Sequence, residues 1–346
     1  MRFFQSAMLQ NRSIQVVLVF LSFLALAGLA TPLRAANWDV VSLGGRNYVT
    51  VESIGNFYRL GSPTPAGKGF KLQAGRVSIN GDNGSTELFI NGRKFVLSFP
   101  IMTDSKGDYV ISQMDVAKLL EPVMRPNRIK GAGRVKTVVL DPGHGAHDQG
   151  ATSRYGNEKT MALDTARRVK KLLQKRGYKV VMTRDSDTFI PLQTRAAIAN
   201  QYKDAIFLAI HYNSGGSTSS GIEVYCMAPQ GTSSSNDSGG APSMARVPYP
   251  GNANDSLNVA MATTMQNSIL RVTGLPDRGV RRARFRVLRD IKVPGVLIEC
   301  GFLSNPTEAR KIATTSYRNG LAEAIARSVD VYQAATGARS YDAAER

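Results

Sequence analysis

Histidine is nearly absent from this chain: three residues among 346, at His144, His147 and His211. Any imidazole chemistry is confined to those positions. Cysteine is scarcer still, with Cys226 and Cys300 alone, so at most one intramolecular disulfide can form. An oxidising compartment would allow them to pair, and two buried thiols acting as small hydrophobes fit the pattern equally. Acidic residues are also few, 26 against 44 Lys and Arg, leaving a formal charge of +18. Such an excess draws a protein towards anionic envelope polymers or lipid head groups. No nucleic-acid recognition motif accompanies it, so nucleic acid is not an expected partner.

The N-terminus has no acid before Asp39. Arg2 and Arg12 precede an apolar run over Ile14–Leu29, and small residues follow at Ala35 and Ala36. A basic start, an apolar stretch and a small-residue site describe a secretory signal peptide over residues 1–35. An uncleaved anchor is the alternative, since the run is nearly long enough to span a bilayer. Either way the remainder is expected outside the cytoplasm, in the periplasm or at the cell wall. Cleavage removes Arg2, Arg12 and Arg34 and takes the charge from +18 to +15. No later segment is apolar enough to span a membrane.

Residues 37–120 read as short strands, among them Tyr48–Val51, Phe70–Gln73, Val77–Asn80 and Phe95–Leu97, with a short helix over Ser112–Leu120. Asn80-Gly81 and Asn91-Gly92 are hairpin signals between them. Leu88-Phe-Ile-Asn-Gly-Arg-Lys-Phe-Val-Leu and Asp108-Tyr-Val-Ile-Ser-Gln-Met-Asp-Val-Ala-Lys-Leu-Leu give this segment its resemblance to the copper amine oxidase N-terminal-like stalk domains of exported bacterial proteins. It contains no histidine and so offers no copper site. It reads as an accessory module for binding or spacing. Residues 121–134, with two prolines, two glycines and four cations, read as a linker.

From Val135 the pattern becomes alternating strands and helices. Val135–Leu140 is a run typical of a strand buried on both faces. Helical spacing follows over Met161–Leu173, with Gly177 where a C-cap belongs. Strands are expected at Tyr178–Thr183, Ala205–His211, Gly221–Tyr225 and Val296–Glu299. Helices are expected at Pro191–Tyr202, at Ser256–Val272 and from Asn305 to about Ala335. The expected fold of residues 135–336 is therefore α/β, a mostly parallel sheet flanked by helices on both faces, preceded by the small strand-rich accessory domain. Gln230–Asp255 is rich in Ser, Gly, Asn and Pro, and reads as either a substrate-contacting lid or a passive insertion. Residues 337–346 read as a disordered tail.

His144 and His211 each stand at the end of an expected strand, as does Glu299, and Glu158 opens the first helix. In open α/β sheets, ligands bind beyond the carboxyl ends of the strands. Two imidazoles and one carboxylate make the protein ligand set of several catalytic zinc sites, which keep a fourth position for water. The remaining carboxylate is then available as a base.

These residues lie in ordered motifs: Val138-Val-Leu-Asp-Pro-Gly-His-Gly-Ala-His-Asp-Gln-Gly-Ala151, Gly156-Asn-Glu-Lys159, Thr183-Arg-Asp-Ser-Asp187, Ala209-Ile-His-Tyr-Asn213, Gly221-Ile-Glu-Val-Tyr225 and Pro294-Gly-Val-Leu-Ile-Glu-Cys-Gly-Phe-Leu-Ser-Asn305. Through them, Thr137–Asn305 resembles the zinc-dependent N-acetylmuramoyl-L-alanine amidases of the amidase-3 type. The resemblance implies one zinc held by His144, Glu158 and His211, with Glu299 as catalytic acid and base. It departs at Ala146, at Gln149 and at Tyr212, where a tyrosine beside a ligand could reshape the cleft. Asn213 and Arg289 are candidate substrate contacts, Asp148 a candidate orienting partner, and His147 a surface residue. Peptidoglycan is the expected partner, with an activator protein left open, and the mature chain is expected to be a monomer. A zinc peptidase acting on stem peptides and a non-catalytic wall-binding protein are the competing readings.

Overall fold

The computed structural model describes residues 38–235 and 243–337. The expected signal peptide over residues 1–35, residues 236–242 of the long loop and the expected tail beyond Gly337 lie outside them. Asp39–Arg346 forms one compact unit by its contacts. Among the described residues no helix is long and apolar enough to cross a membrane.

The chain opens with β1 (Val40–Leu43) and β2 (Arg46–Thr50), then α1 (Val51–Tyr58). The sequence suggested that the strand continues through Val51. It stops at Thr50, whose hydroxyl accepts from Ser53 N at 3.2 Å and caps the helix. A run of hairpins follows: β3 (Thr64–Ala66), β4 (Gly69–Ala74), β5 (Val77–Asp82), β6 (Glu87–Ile90) and β7 (Arg93–Val96). β8 (Met102–Thr103) and β9 (Tyr109–Ser112) return to β1 and β2 as a four-stranded antiparallel sheet. Residues 113–124 are helical, through a π turn at Val116–Leu120 and on to Met124, so the expected linker begins inside a helix.

The second part supplies β10 (Thr137–Pro142), a tight pair β11 (Thr152–Ser153) and β12 (Gly156–Asn157), α2 (Glu158–Lys175), β13 (Lys179–Met182), α3 (Leu192–Ala199) and β14 (Ala205–Asn213). Then come β15 (Ile222–Met227), α4 (Asp255–Thr273), β16 (Asp277–Ala283), α5 (Arg286–Arg289), β17 (Gly295–Phe302), α6 (Pro306–Ile312) and α7 (Thr315–Ala335). The single C-terminal helix expected from the sequence is two, because Thr314 accepts from Tyr317 N and starts a new one.

One eleven-stranded sheet runs β13-β10-β14-β17-β15-β16-β7-β6-β5-β4-β3. It is mixed, which corrects the expectation of a mostly parallel sheet. β13, β10, β14 and β17 are parallel, but β15 runs antiparallel to β17. Only residues 214–221 join β14 to β15, too few for the crossover a parallel return needs. The sheet then continues through β16 into β7, where Val280 pairs with Phe95, so the N-terminal hairpins extend the same sheet. One face packs Phe207, Leu297 and Tyr225 against α3 and α5, sealed by Val287 and Leu288. Reversal at β15 has a consequence for the site. The N-terminal ends of β15 and β16 lie at the same edge as the C-terminal ends of β10, β14 and β17.

Candidate metal centre

His144 lies just beyond β10 and adopts φ +60°, a left-handed backbone that residues other than glycine rarely take. Two arginines hold it there. Arg195 donates to Asp141 Oδ1, Pro142 O and His144 O, each at 2.8 Å. Arg184 donates to Gly143 O at 2.7 Å and Lys159 O at 2.8 Å, tying the loop to α2. The imidazole is aimed by Asp148, whose Oδ1 lies 2.8 Å from Nδ1. That leaves Nε2 facing Glu158 Oε2 at 3.0 Å.

Glu158 is the first residue of α2, after the cap in which Asn157 accepts from Thr160 N. It is 4% exposed. Its two oxygens separate two imidazoles: Oε1 lies 2.8 Å from His211 Nδ1. The same oxygen accepts from Tyr212 N at 3.1 Å, and Oε2 accepts from Ala151 N at 2.8 Å. Burial alone would raise this carboxyl, but the two imidazoles outweigh it and hold it far below the ordinary range. Burial likewise opposes protonation of His144, yet Glu158 and Asp148 raise it.

One ligand atom from each of His144, Glu158 and His211 lies within 4.8 Å of the others. Two glycines keep the space open. A Cβ at Gly150 would stand 2.4 Å from Glu158 Oε2 and 2.8 Å from His144 Nε2, and one at Gly143 would stand 2.4 Å from the His211 ring. Two neutral-capable imidazoles and a buried carboxylate, pointed at each other with an orienting acid behind, are a donor set suited to a divalent cation.

Glu299 is the next rung: it pairs with His211 across β14 and β17. Its Oε2 is buried without a hydrogen-bond partner among the described residues. Burial, then the charges of Glu158 and Glu223, push its carboxyl well above the usual range. A partly exposed acid with raised proton affinity beside a ligand cluster is suited to carry a proton.

The other sequence candidates lie at different positions about this core. Asp148 is the residue beside His144 Nδ1. Asn213 donates to Glu223 Oε2 at 3.3 Å. Arg289 bonds Asp290 at 3.1 Å and lies 4.9 Å from the Tyr249 ring, neither of them part of the cluster. His147 is exposed and stacks on Phe189 at 4.4 Å. Tyr212 points away from the ligands: it is 1% exposed and bonds Thr165 at 2.7 Å beneath α2, so it packs the core instead of shaping the cleft. Cys226 and Cys300 are both buried and free. The described part of the long loop is pinned, Gly231 N to Ala245 O at 2.7 Å and Asn252 Nδ2 to Ala228 O at 2.9 Å.

Sequence reading missed Glu223 and all of β16. Glu223 faces Glu299 across β15 and β17, 1% exposed, and meets Arg278. The one available signal was an acid inside an otherwise apolar strand, since a buried carboxylate needs a partner.

The family described as N-acetylmuramoyl-L-alanine amidase (Amidase_3) matches residues 138–331, more than half of the chain. The N-acetylmuramoyl-L-alanine amidase AmiC of Neisseria meningitidis is 34% identical over 241 residues, 64% of this chain and 57% of that protein. AmiA of Escherichia coli is 30% identical over 253 residues, 67% of this chain and 87% of that protein. The solved catalytic domain of CwlV, an N-acetylmuramoyl-L-alanine amidase from Bacillus (Paenibacillus) polymyxa, is 34% identical, aligning over 58% of this chain and 99% of that one with a TM-score of 0.48. The chain spans somewhat over half the length of the AmiC relatives it matches, 57% and 58%.

Proposed function

The chain belongs to the N-acetylmuramoyl-L-alanine amidase family, and from that premise we propose that it is a zinc-dependent hydrolase acting on peptidoglycan outside the cytoplasm. The bond cut is the amide between N-acetylmuramic acid and the L-alanine of the stem peptide. The observation that carries this reading is the convergence of His144, Glu158 and His211 from three remote stretches, with Glu299 one rung away. The strongly basic composition suits an anionic wall substrate, and residues 37–120, of which β3–β7 extend the same sheet, would serve as an accessory module.

His144, Glu158 and His211 would hold the zinc. Bound there, the ion supplies a Lewis acid and brings the pKa of a water to roughly 7. Asp148 fixes the His144 tautomer, so that Nε2 is the donor turned towards the cluster. Arg184 and Arg195 fix the loop that carries this imidazole. Glu299 accepts the proton from the attacking water at its carboxylate, then returns it to the departing amine of L-alanine. Its raised proton affinity strengthens the carboxylate as the base of the first transfer, and the second supplies the proton that the amine needs to leave.

Digestion of purified sacculi, with mass analysis of products, tests the proposal. Intact stem peptides with a free L-alanine amine are expected, and none after chelation. Cuts within the stem would instead establish the peptidase reading, and no release at all would leave a wall-binding protein.

A further inference from the structure

The edge that holds the cluster continues past Glu299 onto two strands that the ligand set does not use. Glu223 pairs with Glu299, and Gly279 of β16 pairs with Glu223. Between them the register skips a residue: Ile222 pairs with Asp277 and Glu223 with Gly279, so Arg278 is the extra residue of a β-bulge. Bulges beside active sites re-aim a side chain. Here the bulge turns Arg278 towards Glu223, to which its Nε donates. Gly221, at φ +122°, gives the arginine passage: a Cβ there would lie 2.8 Å from Arg278 Cγ and 2.5 Å from Pro276 O.

Glu223 has more partners than its neutralisation requires. Tyr225 donates to it at 2.6 Å and Asn213 at 3.3 Å, and Arg281 Nη1 stands 4.0 Å from the oxygen that Arg278 meets. Two guanidinium groups face this carboxylate, with Glu87 also acting on Arg281. Arg278 is the more accessible of the two. Its side chain is 35% exposed, its guanidinium lies 4.9 Å from the Phe302 ring, and its terminal nitrogens make no hydrogen bond among the described residues. A planar fork held by its Nε and by an aromatic ring, with both outer nitrogens free, is preorganised for a carboxylate.

We infer that Arg278, backed by Arg281, binds a free carboxylate of the stem peptide, carried by the residue that follows L-alanine. The distances suit this. Strands stand about 4.8 Å apart, so Arg278 lies roughly 10 Å along the edge from Glu299, and an extended peptide advances about 3.3 Å per residue before its side chain is counted. The inference rests on the amidase reading above. It adds that the enzyme distinguishes stems whose second residue bears a carboxylate from stems in which that group is an amide.

The test uses the full-length zinc-loaded protein and two synthetic muramoyl peptides that differ only in carboxylate against carboxamide on the second residue. The native protein should prefer the carboxylate by about tenfold or more in kcat/KM, the ratio expected for one charge-assisted contact. Arg278→Gln should cut kcat/KM for the carboxylate substrate about tenfold more than for the amide, through KM, so that the ratio between the two falls towards one; Arg278→Lys should recover part of the preference. Because Arg278 also neutralises Glu223, Arg281→Gln is a second variant that leaves the Arg278–Glu223 bond in place, and it should weaken the same preference less. Equal rates on both substrates in the native protein, or an Arg278→Gln loss that is the same for both, would overturn the subsite and leave the amidase standing. If the native protein cuts neither peptide, the amidase reading itself fails.

Discussion

The parallel half of the long sheet and the half beyond its reversal use buried arginine differently. On the parallel side, Arg195 pairs with Asp141 at 2.8 Å, both sealed from water, and directs its other donors to backbone carbonyls around His144. Beyond β15, the arginines of β16 turn to acids brought from elsewhere, Arg278 to Glu223 and Arg282 to Asp115. The first arrangement fixes the strained loop that carries His144. The second neutralises carboxylates and joins the N-terminal hairpins to the rest. Burial of charge is therefore tied to geometry on one side and to assembly on the other, and substitutions on the two sides should fail in different ways.

The largest effect belongs on the parallel side, at the rung shared by His211 and Glu299. Glu299→Gln removes the proton carrier and keeps the ligands, so zinc content should stay near one per protein while turnover falls by about 10²- to 10⁴-fold. His211→Ala should lose the metal together with activity. Elemental analysis beside a turnover assay separates the two. Near-normal turnover in Glu299→Gln would remove it from the mechanism, and full zinc occupancy in His211→Ala would remove that imidazole from the ligand set.

Beyond the reversal the expected failure is of stability. Asp115 is fully buried and Arg282 nearly so. Asp115→Ala leaves a buried guanidinium without its counter-charge and should cost about 3–5 kcal/mol. Arg282→Met should cost less, because the carboxylate left behind still accepts from Ser98 N at 2.9 Å, Phe99 N at 3.2 Å and the Ser112 hydroxyl at 2.6 Å. Urea unfolding orders the two, and the reverse order would mean that Arg282 serves a purpose other than matching Asp115.

That contrast also explains what could be read from the sequence. The half that carries the cluster was legible because its signals are local: an apolar strand, then His144 or His211, and Glu158 opening the first helix. β16 was not, since Asp277–Ala283 is cation-rich and looks like surface. Arg282 is buried only because Asp115 reaches it from 167 residues earlier in the chain. Glu223 was hidden for the same reason, its counter-charges lying on that unrecognised strand. The mixed direction of the sheet followed from the brevity of residues 214–221, a length present in the sequence but outweighed by the strand–helix alternation on either side.

A third carboxylate, on the solvent side of the sheet, gives the smallest effect and sharpens the contrast between sealed and open pairs. Asp164 on α2 bonds Arg168 at 2.8 Å and also meets Arg318 of α7, tying the two helices together, with 35% of its side chain exposed. Burial is the largest single influence and opposes its ionisation, but the two arginines together outweigh it and hold its carboxyl below the usual value. A depressed acid stabilises the fold above its unfolded pKa, about 3.9, and loses that contribution as pH falls through the lower folded value. Water screens a third-exposed pair, so the contribution should stay under about 1 kcal/mol. Asp164→Asn should therefore cost little at pH 7, and its stability should approach the native protein's as pH drops below about 4. Urea midpoints measured across pH 2–7 check this. A gap between native and variant that persists unchanged at the acid end would show that the α2–α7 contact depends on shape, not charge.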